Sequence, residues 1–182
     1  MSANARSDDE LLKSARQGDR NAFAGLHGRL ARSGYAFALR VSTNADLAAD
    51  VVQEAFLELL SGAQGYRFDG RLRAYFLRMI ANRLYSIHRS IRTQLAILRK
   101  PLLAPEPPEA LAVRSLTAEA AWAALRRLGH AERVVVVLRA CLDLKFREIA
   151  DVLLESESAV KVRYQRAIQR LRHALAGWED PR

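Results

Sequence analysis

Four of the five prolines in this chain, Pro101, Pro105, Pro107 and Pro108, fall within one stretch, LRKPLLAPEPPEALA. Proline has no backbone donor and turns the residue before it away from helix, so no regular element should run through this segment. It reads as an extended, flexible linker over residues 93–116, with one module before it (7–92) and one after it (117–177). Each module is near the lower size at which a chain buries a core of its own. The expected fold class is all-α: two small helical domains joined by a Pro-rich linker, the second containing a helix-turn-helix.

Periodicity and stop signals place the helices. Ser7-Asp8-Asp9-Glu10 is a capping-box pattern ahead of Leu11 and Leu12. Gly18 breaks that helix, and Asp19 can cap a longer one carrying Phe23, Leu26 and Leu30. A third helix starts near Asn44, carries Leu47, Val51, Val52, Ala55, Phe56, Leu59 and Leu60 on one stripe, and stops at Gly62. A fourth runs from about Arg71 to Arg92, with Leu72, Tyr75, Phe76, Met79, Ile80, Leu84 and Ile87 inward. The second module opens with a helix from Thr117 to about Leu128. Val134 to Val137 favours strand locally, but the run is short and has no partner strand, so a buried helix is expected. Cys141, in VVVVLRACL, is expected in the core. Helices near Phe146–Leu153 and Ser156–Ala176 complete the chain.

Charge narrows the function. A net charge of +9 over 182 residues favours a polyanionic partner, nucleic acid first and an acidic membrane surface second. No apolar run approaches the ~20 residues needed to cross a bilayer, so no stable membrane association is expected. The polar, acidic N-terminus does not read as a targeting peptide. The single cysteine suits a reducing compartment, which points to the cytoplasm. His27, His88, His130 and His173 lack metal-ligand spacing, and there is no Gly-rich phosphate loop or GxSxG elbow. No catalytic residue, metal or cofactor is expected.

Two adjacent segments of the first module carry opposite charge. Residues 41–66 hold no Lys or Arg, and their acids, Asp46, Asp50, Glu54 and Glu58, recur every four residues. That spacing places them on one slowly drifting helical stripe, either a solvated face or a docking surface for a positive partner. Residues 67–92 reverse the sign, with seven arginines against Asp69 alone. Tyr66, Phe68, Tyr75 and Tyr85 are interleaved with them. Arginine pairs bidentately with phosphate and aromatic rings stack on bases, so this composition suits single-stranded nucleic acid. The competing reading sends the aromatics to the core and the arginines to solvent.

In the second module, FREIADVLLESESAVK has the apolar spacing of a helix-turn-helix: Ile149, Ala150 and Leu153 on a short first helix, Val160 anchoring the second. From Lys161 to His173 there are five Lys or Arg and no acid. An ordinary amphipathic helix pair with a basic solvent face is the alternative.

Taken together, the blocks ELLKSARQGDRNAFAGL, DLAADVVQEAFLELL, YRFDGRLRAYFLRMIANRLYSIHR and ALRRLGHAERVVVVLRACLDLKFREIADVLLESESAVKVRYQRAIQRLRHAL, in this order around a Pro-rich linker, resemble an extracytoplasmic-function sigma factor of bacterial RNA polymerase. The resemblance covers nearly all of the chain from Asp8 to Leu175. It implies that Asp46, Asp50, Gln53 and Glu54 dock on the clamp of the largest subunit of core RNA polymerase. It implies that Tyr66, Arg67, Phe68, Asp69, Arg71, Arg73, Arg78, Asn82 and Arg83 open and hold the minus-ten promoter element. It assigns the minus-thirty-five element to Ser156, Ser158, Lys161, Arg163, Gln165 and Arg166. Promoter DNA and core polymerase would be the partners, with an anti-sigma factor as an external restraint. The chain departs from the family pattern at Leu154, where a turn glycine is usual, and at Ala159 and Val162, where hydroxyl residues are usual. Two other readings are a sigma-like decoy that binds an anti-sigma factor, and a stand-alone helix-turn-helix regulator. The decoy reading lacks room for the receiver domain such proteins usually carry. The regulator reading leaves the acidic stripe and the arginine–aromatic loop unexplained.

Overall fold

The computed structural model describes residues 6–62, 65–97 and 116–176. The greater part of the expected linker lies outside them. The described residues form α1 (Asp8–Arg16), α2 (Arg20–Ser42), α3 (Ala45–Ser61), α4 (Leu72–Ile97), α5 (Leu116–Arg127), α6 (His130–Val136), α7 (Phe146–Leu153) and α8 (Glu157–Ala176), with a π-turn at Val137–Cys141. No strand occurs among them.

Local chemistry starts each helix of the first module. Ser7 Oγ accepts from the Glu10 amide, while the Glu10 carboxylate accepts from the Ser7 amide at 2.7 Å, closing a reciprocal cap on α1. Asp19 accepts from the amides of Asn21 and Ala22, and Asn44 from that of Leu47. Each satisfies donors that a helix start leaves unpaired. Gly62 ends α3 at φ 74°, a left-handed conformation that costs glycine least. Arg16 then donates twice to the Leu59 carbonyl, at 3.1 and 2.8 Å, tying the end of α3 to α1.

The four helices close on Leu11, Leu12, Leu26, Leu30, Phe37, Phe56, Leu59, Phe76 and Ile80, all buried. Each such side chain contributes about 1.5–3 kcal/mol on leaving water. Gly34 lets α2 approach α4 closely: a Cβ there would sit 2.7 Å from the buried Phe76 ring. Helix α4 runs five residues beyond Arg92, the end expected from its periodicity.

The second module is not separate from the first. Helix α7 lies against α4, the π-turn against α2, and one apolar cluster runs through both modules. Val152, fully buried, was not among the residues expected to face inward; with Leu144 it gives α7 a second apolar side directed at α4. Val134 to Leu138 are five consecutive buried residues, so the end of α6 and the start of the π-turn are enclosed, while Ala131 at the start of α6 is exposed. Cys141 is exposed rather than in the core. The π-turn explains this, because one extra residue per turn shifts the phase of everything after it.

Two polar features cross the junction between the modules. Arg133 on α6 donates to the carbonyls of Leu125, Arg126 and Leu128 at the end of α5, and to Val41 near the end of α2. Two helix C-termini, each with unpaired carbonyls and a partial negative charge, thus converge on one half-buried guanidinium. His130 on α6 stacks on His88 of α4, ring centroids 5.0 Å apart and 18° between planes, with Tyr85 beside it. Spacing along the chain gave no sign of this pair.

Burial pushes His130 down to about 4, and the nearby His88 and Arg133 add like charge; burial also lowers His88, with Arg133 and Arg92 contributing. The unfolded imidazole titrates at 6.5, so between that value and about 4 the unfolded chain binds more protons. Stability is therefore full above the upper value and is lost as pH falls through the window. The urea midpoint is expected to be lower near about pH 5 than near about pH 7.5, with His130→Gln removing most of the difference. An unchanged pH dependence in that variant would assign it to other groups.

Candidate nucleic-acid interface

On α3, Asp46, Asp50 and Gln53 are exposed, and Leu57 stands beside them at 60 % exposure. Residues four apart advance 40° around a helix, so the stripe drifts: Glu54 and Glu58 turn toward α4. Glu54 meets Arg83 of α4 at 2.7 Å. The two opposite charge patterns are therefore joined at one ion pair. Asp46 and Asp50 make no ion pair among the described residues. Leu57 was missed in the sequence because its neighbours four residues away, Gln53 and Ser61, are polar and Glu54 and Glu58 lie beside it, which hides an apolar residue within a polar face.

The segment after α3 is held by an acid on α1. Tyr66 is buried and donates its hydroxyl to Asp9 at 2.7 Å, while the other oxygen of Asp9 accepts from the Gly70 amide at 2.9 Å. Burial holds the Tyr66 hydroxyl well above the ordinary tyrosine range, and Asp9 adds to it. The Tyr66 ring packs against those of Phe68 and Tyr75, with centroids 5.3 and 5.0 Å away. Phe68 is half-buried at φ 55°, edge-on to Tyr66, with Lys13 and Arg16 over its ring at 5.0 and 5.2 Å.

Arg67, Arg71, Arg73, Asn82 and Arg83 are exposed and Arg78 is half-buried, its guanidinium 4.8 Å from the centre of the Tyr75 ring. Asp69 accepts from the Arg71 amide at 3.2 Å. A cleft of about 380 Å³ opens here, lined by Arg67, Arg71, Tyr75 and Arg78 from the first module and by Asp151 and Leu154 from the second. Arg71 pairs with Asp151 across it at 3.1 Å.

In the second module, α7 and α8 form the expected helix-turn-helix. Leu154 stands at φ 55° and 73 % exposed, so the turn keeps its left-handed residue despite the side chain. Ser156 Oγ accepts from the Ala159 amide at 3.2 Å, capping α8, and lies 3.0 Å from Ser158 Oγ. Val160 and Ala167 are buried; Tyr164, Ile168 and Leu171 are half-buried, and Leu175 is 37 % exposed near the helix end. Three of the basic side chains are held by carboxylates: Lys161 by Glu157 at 2.6 Å, Arg163 by Glu155 at 2.8 Å and Arg170 by Glu132 at 2.8 Å. Gln165 and Arg166 are exposed on the outer side.

The first module matches the sigma-70 region 2 family over residues 26–94, and the second matches sigma-70 region 4 over 118–171. That pairing defines a two-region protein of the sigma-70 type. The ECF RNA polymerase sigma factor SigM of Mycobacterium tuberculosis is 32 % identical over 173 residues, 93 % of this chain and 85 % of its own. The RNA polymerase sigma factor SigV of Bacillus subtilis is 27 % identical over 78 % of this chain and 83 % of its own. The chain belongs to the extracytoplasmic-function sigma factors. Two solved structures share the fold at a TM-score of 0.70. One is the sigma factor RpoE of Bartonella quintana in complex with the anti-sigma factor NepR, at 21 % identity over 86 % of this chain and 98 % of that one. The other is CnrH in complex with the cytosolic domain of CnrY, at 24 % identity over 96 % and 100 %.

Proposed function

We propose that this chain binds core RNA polymerase and directs it to promoters, without a catalytic step of its own. The observation that carries the reading is a pair of opposite surfaces on one module: an exposed carboxylate strip on α3 and an arginine surface on the following loop and α4. A stand-alone regulator has no use for the first, since carboxylates repel DNA. Asp46, Asp50 and Gln53 dock on the polymerase clamp, with Leu57 as an apolar contact among them and Glu54 orienting Arg83. Arg67, Arg71, Arg73, Arg78 and Asn82 hold the unpaired minus-ten strand, with Tyr66, Phe68 and Asp69 shaping the loop that presents them. Helix α8 enters the major groove of the minus-thirty-five element, where Arg166 and Gln165 reach base edges while Ser156, Ser158, Lys161 and Arg163 face the backbone. The protein acts in the cytoplasm, and an anti-sigma factor restrains it.

The single-strand contacts are tested by titrating holoenzyme with a short labelled strand over a range of salt. Arg67→Ala and Arg78→Ala are each expected to flatten the salt dependence by about 0.7 of a counterion. Arg83→Ala is expected to change it less, because Glu54 already neutralises that side chain. Equal slopes for wild type, Arg67→Ala and Arg78→Ala would remove these residues from the strand.

A further inference from the structure

The outward crest of α8 contains an apolar residue where a DNA-facing helix would be expected to carry only polar ones. Val162 is 46 % exposed and lies nearly opposite the fully buried Val160 and Ala167, so it occupies the middle of the outer face. Ala159, one turn earlier and also exposed, adjoins it. Around this patch stand Ser158, Gln165 and Arg166, with Arg163 and Glu132 of α6 lining its edge; Glu132 is neutralised by Arg170 at 2.8 Å, and from Ser158 to Ala176 the helix carries no acid. The surroundings therefore complement a polyanion, while the centre offers no hydrogen bond.

We propose that Val162, with Ala159 beside it, reads the C5-methyl group of a thymine in the upstream promoter element. The inference rests on the reading of α8 as the helix that enters the major groove. Among the four base edges in that groove, thymine alone presents an apolar group. Set against a cytosine or adenine amino group, the valine would bury a donor without a partner, which is unfavourable. A β-branched side chain in a helix holds essentially one rotamer, so the valine methyls are fixed before binding. Lys161 and Arg163 flank Val162 in sequence, and each is held by a carboxylate, at 2.6 and 2.8 Å, while Val162 itself stays 46 % exposed.

The test uses holoenzyme and the upstream duplex it selects from a randomised pool, resynthesised with each thymine replaced in turn by uracil, which removes only the methyl. Wild type is expected to lose affinity about fourfold at one position, the factor given by burying one methyl group. Val162→Ala should bind the thymine and uracil duplexes alike at that position; its folding is secure because the residue is exposed and alanine favours helix. A selected element without thymine on either strand would overturn the proposal. So would uracil effects that are the same in wild type and Val162→Ala. If Arg166→Ala still abolishes sequence discrimination in that case, α8 lies in the groove and only the methyl contact is wrong. If neither variant alters discrimination, the reading of α8 itself fails.

Discussion

Reversing the charge of Asp46 and Asp50 together, as Asp46→Lys with Asp50→Lys, is expected to weaken binding to core polymerase by about 100-fold while leaving the fold intact. Both side chains are exposed, and neither has an ion-pair partner among the described residues to lose. The substitution turns the repulsion between positions 50 and 54 into an attraction, but it keeps a like-charge pair at 46 and 50 and sets a lysine in the first turn of α3 against the helix dipole, so the isolated protein should lose no more than about 1 kcal/mol. Glu54 is the wrong choice for this experiment, despite lying on the same four-residue repeat. It holds Arg83 at 2.7 Å, and a lysine there would disturb the arginine surface as well. Co-elution with core polymerase on size exclusion, beside an unfolding curve of the free protein, separates the two effects. Normal co-elution of the double variant would make the strip a solvated surface.

Arg133→Met is expected to destabilise the protein by about 3 kcal/mol, the largest single effect on folding in this account. The guanidinium is the shared partner of four carbonyls from the ends of two helices, at 2.9–3.2 Å. Methionine fills much of the same volume but takes this donor from all four carbonyls, of which Leu125 keeps a second partner, the Leu128 amide at 3.2 Å. For a protein of this size, the loss corresponds to a fall in Tm of about 6–12 °C. Arg133→Lys should recover only part of it, because an ammonium cannot reproduce the planar fork. Because one of the acceptors is Val41 of the first module, the variant should also loosen the junction between modules. Denaturation of Arg133→Met within about 0.5 kcal/mol of wild type would show that the four bonds contribute little.

The helix starts and stops were legible because their causes are local. Ser7, Asp19, Asn44 and Gly62 act within four residues of themselves, and each cap stands where the residue types put it. What depended on distant partners was not legible. The four-residue acidic repeat is plain in the sequence, but the side of α3 that meets α4 is not, so the Glu54–Arg83 pair and the exposed Leu57 came only with the structure. Tyr66 looked like a stacking residue by composition; its hydroxyl is claimed by Asp9, 57 residues away. Cys141 followed an apolar run and was expected to share its burial, but the π-turn carries it outward. The contact of α7 with α4 was hidden for the same reason. Val152 is one apolar residue among several in ADVLL, and only the partner helix decides which of them faces a core. The basic face of α8 was legible in outline, though its carboxylate partners were not: three of its cations are already paired, which leaves Arg166 as the exposed one nearest the patch.

The most direct measurement is transcription in vitro on host genomic DNA by core polymerase, with and without this chain, reading the 5′ ends of the products. A set of new start sites is expected to appear only when the chain is added and to share a two-part upstream element. Asp46→Lys with Asp50→Lys should abolish the set. The same start sites in both reactions would contradict the account, and would leave a DNA-binding or anti-sigma-binding protein that does not direct polymerase.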